Sequence, residues 1–493
     1  MNRSTPPSLD ALLALYAEGP DVTCALFQDL FARLSAVEEL NAALQSKVNE
    51  LTARLNKDSH NSSKPPSSDV FRKPPKPPNL RVKSGKRSGG QQGHAGCTLE
   101  PVSKPDHHVP HAPSVCGSCG HSLDKAQIVG RERHQVFDLP KLVFEVTEHE
   151  VVSCACPHCQ ALNRGEFPDG AMQPLQYGPR FLGVLTYLNQ YQLIPLARTQ
   201  QCAADLFGHE PSQATIVSAI EKCAQQLAPV ERAIKTTISK SEVVHFDETG
   251  MRVSKQLHWV HTASTPALTF YCHHDKRGKE AAAYIGILKK FRGTAVHDCL
   301  PMYMSWDLKC RHQLCNVHLL REMIGIWEDT KQTWTHRMSA LLRSLLRAKK
   351  SAQSAGHNKL DAKLLERYMK AYERVIAKGL LKNPAPERTG NWRRRASGKA
   401  RNLLLRLWQR RASVLRFAID FKVPFDNNLA ERDLRMVKLR QKISGCFRSA
   451  EGADNFCTIR GYISTLRKQG IGVMTSLEYA FAGNPNWPSL ETR

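Results

Sequence analysis

The sequence predicts a multidomain α+β chain, and three observations carry that prediction. At 493 residues the chain has room for several domains and at least one large core. Its apolar pattern changes along its length, from a heptad, through a Pro/Gly-rich basic stretch, to short apolar runs and then long helical periods. Two Cys-x-x-Cys pairs mark a further small unit that metal binding would help to fold.

Composition narrows the partner. With 70 Lys+Arg against 45 Asp+Glu, the formal net charge of +25 favours a polyanion, because neutralised phosphates release their counterions. No run of 18 or more apolar residues is present, so no membrane partner is expected. Residues 1–20 carry Asp10 and Glu18 where a signal peptide needs an unbroken apolar stretch, so the expected location is the cytoplasm. Fifteen cysteines, many in apolar segments, fit reduced thiols plus one metal cluster better than a disulfide framework.

Residues 1–56 are expected to be helical, with a coiled coil at their end. Leu34, Val48 and Leu55 occupy one heptad position and Leu30, Val37, Leu44 and Leu51 the other, with Asn41 in the first series. A homodimer or higher oligomer through this helix is the expectation; an amphipathic helix docked on its own chain is the alternative. Residues 57–96 read as a basic linker, unable to bury enough apolar surface to fold alone. Arg72 and Lys73 within it are candidate contacts to a DNA backbone.

Residues 97–170 hold the Cys pairs. Cys116, Cys119, Cys156 and Cys159 are the candidate ligands of a closed tetrahedral structural Zn²⁺ site, with Cys154 or His158 as possible substitutes. The intervening Leu142–Val146 and His149–Val152 read as strands. In residues 171–238 two helical patterns, Leu196–Phe207 and Ser212–Gln226, flank a turn-like Gly-His-Glu-Pro. They read either as a helix-turn-helix for DNA or as a helical packing layer.

Residues 239–330 read as three meandering strands (Val243–Asp247, Leu257–Ala263, Leu268–His273), a helix (Lys279–Lys289) and two more strands (Thr294–Asp298, His312–Asn316). That order describes a mixed α/β sheet of the ribonuclease-H type, with its first and fourth strands adjacent. Residues 331–420 form a helical insertion, and residues 421–493 return to the core with a helix capped by Asp426 or Asn427.

Asp247 and Asp298 then end adjacent strands, and Glu431 sits on the returning helix. Three converging carboxylates suit Mg²⁺ or Mn²⁺, and a two-metal site serves phosphoryl transfer. Asp307, Asp426 and Asp433 compete for these roles. Arg393, Arg394 and Arg395 form either a solvated charge run or a DNA contact, and Arg435 and Arg448 are further candidates for DNA.

The stretches His245–Gly250, Lys276–Glu280, His297–Asp298, Pro424–Arg432 and Lys442–Ser449 closely resemble transposases of the insertion-sequence 66 family, as do Gln176–Arg180 and Asn61–Asp69. The resemblance covers nearly the whole chain. It implies a bacterial, nucleoid-associated DDE transposase with a leucine-zipper region, a zinc-binding domain and an interrupted ribonuclease-H-like core. Asp247, Asp298 and Glu431 would take the three DDE positions, and companion proteins encoded by the element would assist. Cys315-Asn316-Val317-His318 resembles a Cys-x-x-His signature of several DDE groups, to which no metal is assigned. Cys299-Leu300-Pro301-Met302 departs from the Gly-Trp-like continuation that the resemblance implies. The expected activity is cleavage at element ends followed by strand transfer; the alternatives are an inactive transposase-derived DNA-binding protein and a structure-specific nuclease on the same fold.

Overall fold

The computed structural model describes residues 9–55, 99–125, 127–140, 142–304, 308–385 and 398–491. The 57–96 linker with Arg72 and Lys73, the cluster Arg393, Arg394 and Arg395, and Asp307 lie outside the described residues.

Two helices open the chain, α1 (Leu9–Ala17) and α2 (Pro20–Leu55). The heptad stripe of α2 lies open on the chain by itself: Leu30, Leu34, Val37, Leu44 and Val48 are each more than half exposed. Phe27, also exposed, extends the stripe by one heptad step before Leu34.

The Cys-pair region contains one short hairpin, β1 (Ser153–Ala155) with β2 (Leu162–Arg164). The two strands expected at Leu142–Val146 and His149–Val152 do not form. Their apolar side chains, Val143 and Val146 among them, find no opposing sheet and stay exposed, so alternation there has no buried face to define. Phe144 turns inward, against Tyr177, Phe181 and His209.

Helices α3 (Pro179–Thr186), α4 (Leu196–Phe207) and α5 (Gln213–Lys240) follow. Gly208 ends α4 at φ 71°, and the Ser212 hydroxyl accepts from the Thr215 amide to start α5. Helix α5 runs well past Gln226 and buries Ile216, Ile220, Leu227, Val230, Ile234 and Ile238. The apolar face of α5 is spent on the core, as both the helix-turn-helix and the packing-layer readings require.

The sheet comprises β3 (Val243–Val253), β4 (Gln256–Ser264), β5 (Thr269–His274), β6 (Thr294–His297) and β7 (Arg311–Leu314), in the order β5-β4-β3-β6-β7. β5, β4 and β3 are antiparallel neighbours, whereas β3, β6 and β7 run parallel. Helices α6 (Lys279–Ile285) and α7 (Ile287–Lys290), split by Gly286, make the crossover from β5 to β6. Gly293 admits β6 beside β3: a Cβ there would collide with the carbonyl oxygens of Ser241 and Glu242 and the Phe291 ring, an overlap of the kind that costs roughly 1–3 kcal/mol.

One expectation needs correcting. Asp247 does not end its strand; β3 continues to Val253 and turns into β4 through Ser254 and Lys255, both at positive φ (47° and 68°), the backbone of a tight primed hairpin turn. Asp247 lies instead just beyond the end of the β3–β6 pairing, whose last rung is His245↔Val296.

After β7 come α8 (Asn316–Thr330), α9 (Trp334–Ser354), α10 (Ala362–Lys382), α11 (Lys399–Gln409) and α12 (Arg411–Ile419), which share a core of their own built on Trp334, Met338, Leu342, Tyr372, Leu404 and Phe417. α12 covers the β7 edge: Arg416 Nε donates to the His312 carbonyl, and the Phe417 amide donates to Gln313 Oε1. The chain then returns as α13 (Asn428–Ser444), α14 (Ala450–Lys468) and α15 (Val473–Phe481). α14 closes the β5 edge, where Thr465 Oγ1 accepts from the Thr269 amide at 3.0 Å. Each edge strand thus has a helix packed on it and part of its ladder met by helix side chains.

Candidate active site

Strand alternation divides neighbouring acids between two faces of β3. Val244 and Phe246 face the α5 side with Phe291 and Tyr303, and Glu248 shares their parity. Met251 and Val253 face the α13 side with Leu434 and Val437, and Asp247 shares theirs. The returning helix therefore approaches the face that carries Asp247.

The parallel register carries Asp298 toward Asp247. His245 pairs with Val296 in the last rung, each acid follows two residues later, and the Asp298 charge acts on the Asp247 carboxyl. Asp298 Oδ1 accepts from the Leu300 amide at 3.0 Å, which fixes the loop after β6. Cys299 in that loop adopts φ 77°, a left-handed conformation that costs an L-residue roughly 1–2 kcal/mol and a glycine almost nothing. The departure from the Gly-Trp-like pattern falls on the residue that carries this strain.

Glu431 arrives on the first turn of α13. Asn427, fully buried just before that helix, positions it: Nδ2 donates to the Phe246 carbonyl at 2.9 Å, the backbone amide donates to Cys315 Sγ at 3.3 Å, and Oδ1 lies 2.9 Å from His245 Nδ1. Because Nδ2 is committed as a donor, Oδ1 must accept, and His245 carries its proton on Nδ1. Two residues after Glu431, Asp433 Oδ2 accepts from Ser264 Oγ (2.7 Å), Thr269 Oγ1 (3.2 Å) and Lys468 Nζ (2.8 Å). Asp433 is thereby a packing anchor between α13 and the sheet, and Asp426 Oδ1 is occupied by the Asn428 amide.

The acids act on one another. Burial holds the Asp247 carboxyl well above the usual carboxylate range, and the charges of Glu248, Asp298 and Glu431 raise it further. Burial, then Asp298, raises Glu248 too, against the pull of Arg277. Arg277 donates to Glu248 Oε1 through both Nε and Nη2 (3.0 and 2.8 Å), and Tyr303 OH donates to Oε2 at 2.7 Å. A buried Asp247 whose ionised form is disfavoured by neighbouring carboxylates, in a set of all-oxygen donors, is what a hard divalent cation relieves. Their donor chemistry fits Mg²⁺ or Mn²⁺, while the oxygens of Asp247, Asp298 and Glu431 are not all drawn to within 4.8 Å of one another.

The Cys pairs form two matching knuckles. Cys116 and Cys156 each donate their amide to a carbonyl five residues on and accept from an amide four residues on, at Gly120 (φ 72°) and Gln160 (φ 61°). Backbone amides of Ser118 and Cys119 lower the Cys116 thiol, and those of Cys159 and His158 lower Cys156, the direction that prepares thiolate ligands for zinc. The four sulfurs are not drawn to within 4.8 Å of one another; among the described residues, the metal-capable group that close is Cys315, His318 and Glu431. Arg435 and Arg448 are exposed, and the Arg448 carbonyl holds the hairpin residue Ser254. Among the described residues Glu431 forms no ion pair with Arg435; the His318 ring is its neighbour, with Nδ1 3.7 Å from Oε1.

Glu248, Arg277 and Tyr303 were not singled out from sequence, while Asn427 stood only as a candidate helix cap, a bond its side chain does not make, and His318 only as part of a Cys-x-x-His signature. Glu248, Arg277 and Asn427 fall inside the stretches that carry the resemblance, which was the available signal. Tyr303 had none.

Residues 174–455, more than half of the chain, match the family model described as Transposase IS66 family. Residues 113–160, spanning both knuckles, match the zinc-finger binding domain of transposase IS66, which supports structural zinc there, and residues 23–100 match a family of unknown function, DUF6444. No curated protein matches the chain.

Burial pushes the His245 imidazole down to about 4, outweighing the help of Asn427. The unfolded chain takes up that proton near pH 6.5, so the folded state's advantage is complete above about 6.5 and is lost as the pH falls to 4. In urea titrations across this window, His245→Gln should show a shallower loss of stability than the parent; an equal slope would contradict the buried neutral ring.

Proposed function

The chain belongs to the transposase IS66 family, and from that premise we propose that it cuts DNA at the ends of an insertion sequence and joins the freed 3′-hydroxyls to target DNA. On this reading the five-stranded sheet is a ribonuclease-H-like core interrupted by the α8–α12 helices. The observation that carries it is the electrostatic convergence on Asp247 of Asp298, from the neighbouring strand, and Glu431, from a helix nearly two hundred residues later in the chain.

Asp247, Asp298 and Glu431 would hold two Mg²⁺ or Mn²⁺ ions, which supply an activated oxygen nucleophile and neutralise charge at the phosphate under attack. The chain itself contributes position. The β3–β6 register carries Asp298 toward Asp247, and the Asn427 bonds fix the entry of α13. Glu248, held by Arg277 and Tyr303 on the opposite face, adds negative charge behind Asp247 without competing for its place. His245 stays neutral at pH 7 and so adds no positive charge beside the acids. Arg435 and Arg448, with Arg72, Lys73, Arg393, Arg394 and Arg395, would grip the DNA backbone, a contact that weakens with salt. Zinc held by Cys116, Cys119, Cys156 and Cys159 would stabilise a unit with little core.

The partner surface of α2 fits a second copy of this chain. Its stripe from Phe27 to Val48 is apolar and uncovered, and Asn41 at the seam favours one register. In a parallel pair Arg33 of one copy lies across from Glu38 of the other, five residues on, a complementary charge pairing.

Asp247→Asn should abolish metal-dependent nicking of a donor carrying the element's ends, with companion proteins supplied, while DNA binding persists; robust nicking by that variant would sink the assignment. Nicking by the parent without any joining would mean a nuclease instead. Removing residues 1–56 should lower the sedimentation mass to that of a single chain, and an unchanged monomer with and without the segment would refute the pairing.

A further inference from the structure

We propose that Cys315, His318 and Glu431 form a second cation site, selective for zinc or a similarly borderline-soft divalent ion, beside the candidate active site and sharing Glu431 with it. The thiol, the imidazole and the carboxylate each present a ligand atom within 4.8 Å of the other two. His318 Nδ1 and Glu431 Oε1 lie 3.7 Å apart. Metal bonds of about 2.0–2.3 Å place tetrahedral ligand atoms roughly 3.5 Å apart, so this pair already has the spacing a zinc ion needs.

Both atoms are buried and without a hydrogen-bond partner. An unsatisfied buried polar group is costly and calls for a function or a ligand, and one cation satisfies both together. The arrangement is set by backbone, not by flexible side chains. Cys315 immediately precedes α8, His318 sits in its first turn, and Glu431 sits in the first turn of α13. The two helix starts are fastened by the Asn427 amide donating to Cys315 Sγ (3.3 Å) and the Asn316 amide donating to the Phe425 carbonyl (3.0 Å). Burial pushes the Cys315 thiol up to about 12, so an arriving ion has to displace its proton.

The donor set decides the ion. Sulfur and imidazole nitrogen select zinc over Mg²⁺ or Mn²⁺, and three protein ligands leave one position to water. Binding releases the Cys315 thiol proton to solvent. The side chains of His318 and Glu431 are 36% and 22% exposed, which gives an ion a way in. This site lies apart from the knuckle thiols in sequence and uses different donors. A zinc ion here takes a carboxylate from the hard-cation set, so zinc acts as a brake on the DNA chemistry; that consequence rests on the transposase reading, and the binding does not.

The test uses the full chain loaded with zinc, then exchanged with cobalt, in parent, His318→Gln and Cys116→Ser forms, with circular dichroism to confirm folding. His318 is partly exposed, so its replacement spares the fold where loss of buried Cys315 endangers it. The expected result is one fewer zinc equivalent in His318→Gln, a changed cobalt–thiolate absorption, and retention of the knuckle signal that Cys116→Ser removes. In nicking assays with Mg²⁺, the zinc concentration for half inhibition should rise more than about tenfold in His318→Gln relative to its own uninhibited rate. An identical metal count and cobalt spectrum in parent and His318→Gln overturns the site. A lowered count in His318→Gln beside a parent that never nicks leaves the site standing and removes the transposase reading instead.

Discussion

The buried amide of Asn427 is the constraint on which the candidate site depends. It joins three segments that are remote in sequence: the end of the β3–β6 pairing through Phe246 and His245, the start of α8 through Cys315, and the start of α13 that bears Glu431. Each bond is directional and shielded from water, so a small shift of α13 would leave donors and acceptors unpaired at about 1–3 kcal/mol apiece. The Asp433 cluster of Ser264, Thr269 and Lys468 fixes the same helix from the other side of Glu431. Glu431 is held between two polar locks.

Such locks are needed because the site works against folding. Asp247, Glu248, Asp298 and Glu431 crowd negative charge into a buried space, and burial plus mutual repulsion raises the Asp247 carboxyl. A loosely attached helix would relieve that repulsion by turning Glu431 toward solvent. The apolar cores on either face of the sheet and the helical cap on each edge strand supply the stabilisation that lets the acids stay together. The strained Cys299 adjoining Asp298 is a further local cost absorbed by the same scaffold.

Short apolar runs ending in Asp247 and Asp298 were legible as strands because each fills a buried interior position, and the order of elements made β3 and β6 neighbours. The extent of β3 was misread since Thr249 to Val253 carries no uniform apolar run; its partners on β4 define it as strand. The strands expected at Leu142 and His149 failed for the converse reason, a good local pattern with no sheet to join. The α2 heptad was legible as a helix, and its stripe lies exposed on the chain by itself. Asn427 was visible as a helix cap, but its bonds to His245 and Phe246 span more than 180 residues, and no local pattern encodes such a pairing. Asp433 looked equivalent to Glu431 in sequence and separates from it through Ser264 and Thr269 on the sheet and Lys468 on a later helix.

The central claim is that Asn427 holds Glu431 in reach of Asp247 and Asp298. Its most direct test is the affinity of the folded chain for Mn²⁺, followed by the electron paramagnetic resonance signal of the free ion, in the parent and in Asn427→Ala. The account predicts a loss of more than about tenfold in Mn²⁺ affinity on removing this supporting amide, with the helical and sheet content unchanged. Equal affinity in the two proteins would show that the acids assemble without the lock, and would contradict the account.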